Sequence, residues 1–218
     1  MTLLSRRKRP IRREQRGYRD DRLFVIACDD RYAPKQYFDS FEIPRIQVHV
    51  IPTEDGKCGA EHVLERLLRV DCEPDDERWL VLDTDHYVKR EHLRTFTRVL
   101  QEARQKGIQL ALSRSCFEVW LLLHFVEPKE VVNLKNAKAV SEALKAVLGE
   151  YDKTALDCER FSFKSVVDAC RRAAELDKEV EGGDIPASNT TRVYLLWKSI
   201  VQKALRTQLP LDLIVLLE

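Results

Sequence analysis

Two clusters of acids carry the chemistry this sequence could do, Asp29-Asp30 and Asp83-Thr84-Asp85. Each follows directly on an apolar run: Leu23-Phe24-Val25-Ile26-Ala27-Cys28 before the first, Trp79-Leu80-Val81-Leu82 before the second. In an open parallel sheet, ligands bind in the crevice beyond the carboxyl ends of the strands. Residues two apart at a strand end point to the same side. Asp83 and Asp85 could therefore converge on one cation, with Asp29 completing the cluster. Several carboxylates in one crevice do not stay ionised cheaply without a counter-charge. A hard divalent cation, Mg2+ or Mn2+, supplies it, and Mg2+ commonly uses one or two carboxylates plus waters and substrate phosphates. The bland alternative for Asp-x-Asp is a helix N-cap beside a surface acid. Two apolar strands that both run into acids are harder to explain by capping.

Three further residues could join this chemistry. Glu118 lies in the apolar stretch Cys116-Phe117-Glu118-Val119-Trp120-Leu121-Leu122-Leu123-His124-Phe125. A carboxylate there is seldom buried unless paired, so it is either a fourth acid of the site or half of an ion pair, with Arg114 as a candidate partner. His124 reads as a residue that packs or bonds a backbone group. Lys153, in Tyr151-Asp152-Lys153, could contact phosphate or sit on the surface. There is no P-loop, no Gly-x-Gly-x-x-Gly and no Gly-x-Ser-x-Gly, so the corresponding nucleotide, dinucleotide and hydrolase folds are unsupported.

The elements that must position these residues follow from periodicity. Residues 23–28, 46–51, 79–82 and 108–112 read as strands, the first and third buried on both faces. Helical segments fall between them, over 34–41, 60–70 and 91–106, with Gly107 closing the last. Residues 117–125 read as a helix packed on the sheet. The alternation implies an α/β domain with a mostly parallel sheet flanked by helices. Beyond it, 136–148, 161–179 and 190–205 read as helices, and the apolar stretch Leu209–Leu217 as a final strand or a partner-binding tail. The expected organisation is a basic flexible arm over 1–22, the α/β domain over 23–128 and a helical portion over 129–218 packed on the same domain.

The chain has 218 residues, 44% hydrophobic and 33% charged, as in a soluble globular protein. No apolar run approaches the ~20 residues of a membrane-spanning helix, and no membrane partner is expected. Net charge is +1, yet residues 1–22 hold nine Lys/Arg against the acids Glu14, Asp20 and Asp21, which leaves the arm at +6 and the remainder at −5. Arg6, Arg7, Lys8, Arg9, Arg12 and Arg13 are its densest part. A basic arm on an acidic body suits nucleic acid, DNA or RNA; a solvated tail is the alternative. Six scattered cysteines without a Cys-x-x-Cys pair read as reduced, mostly buried thiols of a cytoplasmic protein.

Together these segments resemble the RloB family, bacterial proteins encoded with restriction or abortive-infection loci, and more broadly the Toprim domain of topoisomerases, primases and related nucleases. The residues that carry the resemblance are Cys28-Asp29-Asp30 with Tyr37-Phe38 downstream, Leu82-Asp83-Thr84-Asp85, Ser115 to Phe125, Tyr151-Asp152-Lys153 and Asn189-Thr190-Thr191-Arg192-Val193. They span about residues 23–205, and the Phe-Glu-x-Trp-Leu-Leu-x-His-Phe stretch is the most specific. The resemblance implies a Toprim-like sheet, a metal-dependent nuclease with Mg2+ or Mn2+ on Asp29, Asp83 and Asp85, a role in antiphage defence, and often an ATPase partner. The chain could also form a homo-oligomer. The family usually shows Cys-Glu-Gly followed by Thr-Glu; here Asp29 stands at the first Glu, Asp30 at the Gly and Pro34 at the second Glu. In Toprim enzymes that first glutamate is a metal ligand or general acid/base. Asp29 keeps the carboxylate and shortens its reach by a methylene, and ~1 Å of misplacement can cost ~10²-fold in rate. The expectation is a slower enzyme, or a degenerate one kept for binding or ATPase docking.

Overall fold

The computed structural model describes residues 21–87, 90–178 and 183–217. The basic residues Arg6, Arg7, Lys8, Arg9, Arg12 and Arg13 lie outside the described residues. The molecule is a mixed α/β structure on a five-stranded, mostly parallel sheet, with helices on both faces and a helical C-terminal region. Strand β1 (Arg22–Cys28) sits inside the sheet between β2 (Ile46–Ile51) and β3 (Glu77–Asp83), parallel to both. Strand β4 (Gln109–Arg114) continues in parallel beside β3, and the two-residue β5 (Thr190–Thr191) closes the far edge antiparallel to β4. The spatial order is β2-β1-β3-β4-β5.

The two-residue period of β1 explains why its run is apolar throughout. Leu23, Val25 and Ala27 face one core, and Phe24, Ile26 and Cys28 face the other. The first core is covered by α2 (Ala60–Leu68) and α3 (Arg90–Gln105), which contribute Val63, Leu67, Phe96 and Leu100. The second is larger. It is built from α1 (Ala33–Asp39), α4 (Glu118–Leu123), α6 (Ala137–Leu148), α7 (Phe163–Lys178) and α8 (Val193–Lys203), with the short α5 (Pro128–Val132) at its margin. Tyr37, Trp120 and Trp197 are fully buried there. Each such side chain contributes ~1.5–3 kcal/mol of burial, so this face holds the C-terminal helices firmly to the sheet.

Two expectations are corrected. Thr190 and Thr191 begin no helix: they pair with Arg114 and Ser113, and the Ser113 and Thr191 hydroxyls share a 2.8 Å hydrogen bond, so α8 starts only at Val193. The stretch Leu209–Leu217 is neither a strand nor a free tail. It forms a 3-10 helix over Leu211–Leu217 that packs on α7 and α8, with Leu209 and Leu213 buried. Leu211 and Val215, on its outer side, remain exposed. Of the six free cysteines, Cys28, Cys116 and Cys170 are buried, Cys72 and Cys158 intermediate and Cys58 exposed. No helix among the described residues is long and apolar enough to cross a membrane.

Candidate active site at the strand ends

Along the strand order β2-β1-β3-β4, the chain leaves β1 to one side for β2 and returns past it for β3. Such a reversal opens a crevice at the carboxyl ends of β1 and β3, where ligands bind in open α/β sheets. A crevice of about 650 Å³ lies there, lined by Asp29, Asp30, Arg31, Tyr32, Cys58, Gly59, Asp83, His86, Tyr87, His92 and Lys153. Asp29, Asp30 and Asp83 reach it because both strands stop there.

Asp29 and Asp83 stand side by side. The Asp83 backbone N–H donates to Asp29 Oδ2 at 3.0 Å. Both side chains keep some exposure to the crevice, while protein surrounds them on their other sides. Burial pushes the Asp29 carboxyl up to about 7; the Asp83 N–H opposes this and the Asp30 charge adds to it. Burial also pushes Asp83 well above the usual carboxylate range, with the Asp29 and Glu118 charges adding to it. The pair therefore holds a proton near neutral pH, or needs a cation to lose it.

A second group lies beside this pair. The buried Asp30 and Glu118 carboxylates close on one ammonium, that of Lys153: Nζ meets Asp30 Oδ2 and lies 3.3 Å from Glu118 Oε1. Asp30 Oδ1 also accepts the Tyr32 N–H at 2.7 Å, and the Tyr151 hydroxyl donates to Glu118 Oε1 at 2.9 Å. Burial alone would raise the Glu118 carboxyl; the Lys153 charge and the Cys116 and Tyr151 hydrogen bonds outweigh it and hold Glu118 below its ordinary value. Conversely, burial alone would lower Lys153, but the Glu118 and Asp30 charges hold it above its ordinary value.

Asp85 is placed differently. Strand β3 ends at Asp83 and the chain turns, the Tyr87 N–H donating to the Thr84 carbonyl at 3.0 Å. The two-residue alternation stops with the strand, and Asp85 is not among the residues lining the crevice. Glu118 is ion-paired, with Lys153 rather than Arg114, whose guanidinium bonds the Pro186 carbonyl. His124 is packed, as one of its two readings has it, among Tyr37, Trp120 and Phe161, and it bonds side chains and not backbone: Tyr37 at 3.0 Å through Nε2 and Ser165 at 2.9 Å through Nδ1. Burial lowers its pKa to about 3, so it is neutral.

The sequence reading passed over Tyr32, His86, Tyr87 and His92. His86 stands next to the Asp-x-Asp in sequence, which was the available signal. Tyr87 stacks on Phe96, with centroids 4.2 Å apart, and its hydroxyl bonds the Cys58 carbonyl, which closes one wall of the crevice.

Among the described residues, no three His, Cys, Asp or Glu side chains converge into a ready-made metal cage. The donor chemistry of Asp29 and Asp83 nonetheless fits one hard divalent cation. Two adjacent acids, each raised by burial and like charge, form the one- or two-carboxylate seat that Mg2+ uses when waters and a phosphate complete its shell.

A family model described as RloB-like protein matches residues 24–200. No curated protein and no solved structure matches the chain.

Proposed function

The chain belongs to the RloB-like family, and from that premise we propose that it is a Toprim-type, Mg2+- or Mn2+-dependent nuclease that hydrolyses DNA or RNA in a cytoplasmic antiphage defence system. The observation that carries this reading is the pairing of Asp29 with Asp83 at the carboxyl ends of adjacent strands, with both pKa values raised. Asp29 and Asp83 would hold the ion. When bound, it would polarise the phosphodiester and lower the pKa of a water. Asp29, whose carboxyl burial holds up to about 7 without an ion, would give up its proton as the cation arrives. Lys153 lines the crevice and would offset phosphate charge, with Asp30 and Glu118 fixing its ammonium. Asp85 would act from the turn beyond the strand, through water. The basic arm of residues 1–22 would add sequence-independent affinity for phosphates.

The test is cleavage of DNA and RNA by the full chain with Mg2+ or Mn2+, comparing wild type, Asp29→Glu and Asp83→Ala. Wild type should cut and a chelator should stop it, and Asp83→Ala should abolish cutting. Asp29→Glu should lower the rate by ~10²-fold, because the longer side chain overshoots the 3.0 Å hydrogen bond from Asp83 N–H. Should all three proteins behave alike under every condition, with a partner ATPase included, the nuclease reading fails. A second reading, a non-catalytic subunit that binds nucleic acid or docks to an ATPase, then takes its place. Two features favour that reading: Asp29 Oδ2 is already engaged by backbone, and no third acid converges among the described residues.

A further inference from the structure

We propose that Lys153 occupies the place of a second metal ion, its ammonium standing between the Asp30 and Glu118 carboxylates, so that this crevice takes one divalent cation and not two. The inference rests on the reading of Asp29 and Asp83 as a cation seat.

Asp30 lines the crevice and Glu118 does not, but Lys153 joins them, and both acids are strongly enclosed, only 8% and 5% exposed. Buried carboxylates need a charge partner, and Lys153 meets both at once. Its placement is built into the backbone. Lys153 lies on the loop between α6 and α7, and Gln36 of α1 grips that loop through both ends of its carboxamide. Gln36 Nε2 donates to the Lys153 carbonyl at 3.1 Å, and Gln36 Oε1 accepts the Leu156 N–H at 2.8 Å. The Cys158 thiol adds a contact to the Gln36 carbonyl at 3.4 Å. Asp30 Oδ1 is engaged by the Tyr32 N–H, and Glu118 Oε1, besides facing Lys153, accepts from the Tyr151 hydroxyl. A divalent ion entering here would have to shed water, which Mg2+ does reluctantly. It would also have to expel an ammonium held by two carboxylates and a clamped loop. The crevice thus offers Asp29 and Asp83 to a metal, while its second acid pair already holds a cation that the chain supplies.

Mn2+ stoichiometry on the full chain tests this, read by electron paramagnetic resonance and by calorimetry, with circular dichroism to confirm folding. Wild type and Lys153→Arg should each bind one ion. Lys153→Met should gain a second, because two buried carboxylates then lack the cation that balanced their charge, and adding Glu118→Gln should remove it again. Asp29→Asn, in which Lys153 is intact, should bind none. Two ions on wild type, one ion remaining on Asp29→Asn, or no gain on Lys153→Met would each overturn the inference. No ion on wild type with one on Lys153→Met would instead overturn the Asp29–Asp83 seat and leave the role of Lys153 standing.

Discussion

Replacing Asp29 by asparagine should make the metal-free protein more stable at neutral pH and leave it unchanged in acid. The substitution keeps the shape of the side chain and an oxygen to accept the Asp83 N–H. It removes the ionisation. In the folded protein the Asp29 carboxyl holds its proton up to about pH 7, against an ordinary value of 3.8. Between those limits unfolding releases a proton, so the folded state loses stability as pH rises through the window. Below the lower limit both states are protonated and nothing is lost. A gap of about three pH units corresponds to a ceiling of ~4 kcal/mol at 1.36 kcal/mol per unit. Water reaches the side chain from the crevice, and a reasonable share of that ceiling is ~2 kcal/mol. For a chain of this size that is a rise of roughly 4–8 °C in Tm.

Urea unfolding in the presence of a chelator, from about pH 4 to pH 8, reads this directly through the midpoint at constant slope. The two proteins should coincide at the acid end and separate steadily above it. Added Mg2+ should then stabilise wild type more than the variant, because binding to the folded state alone adds stability. A variant equal to or less stable than wild type at pH 8, or a difference that does not change with pH, would refute the reasoning.

Other expectations concern the rest of the molecule. Deleting residues 1–20, which stops short of β1 at Arg22, should weaken nucleic-acid binding and flatten the plot of log affinity against log salt, since fewer counterions are released; an unchanged slope would make the arm a bystander. Tyr37→Phe should cost ~1–3 kcal/mol, because it leaves the buried, neutral His124 without its Nε2 partner, and a loss under half a kilocalorie by urea unfolding would count against that bond. Leu213→Ala should cost ~2–5 kcal/mol in the same assay, as expected for a fully buried leucine; a negligible change would mean that the C-terminal 3-10 helix does not hold α7 and α8.

The sheet was readable because its central strands advertise themselves. β1 and β3 are short, each carries an unbroken apolar run cut off by acids, and the alternate residues of β1 divide cleanly between two cores. That pattern also located the crevice, since the acids must fall where the strands stop. What was hidden depends on contacts between distant segments. A two-residue strand such as β5 has no period to detect, and its pairing with Arg114 and Ser113 comes from the far side of four α-helices. Periodicity placed Asp85 with Asp83, yet the rule ends with the strand, and one residue past Asp83 the chain is already turning. Lys153 sits in a loop with a polar neighbourhood, and nothing local distinguishes it from a surface lysine. Its two acid partners lie on β1's following turn and on α4, and only the fold brings all three together.

The long loop that carries Lys153 also orders events during synthesis. Asp29 and Asp83 are 54 residues apart, whereas Gln36 and Lys153 are separated by 117. At ~5–20 residues per second on the ribosome, those spans take roughly 3–11 and 6–23 seconds to make. The strands that bring the first carboxylate pair together have therefore emerged before the lysine that neutralises the second. Until residue 153 follows, Asp30 and Glu118 have no ammonium to close on.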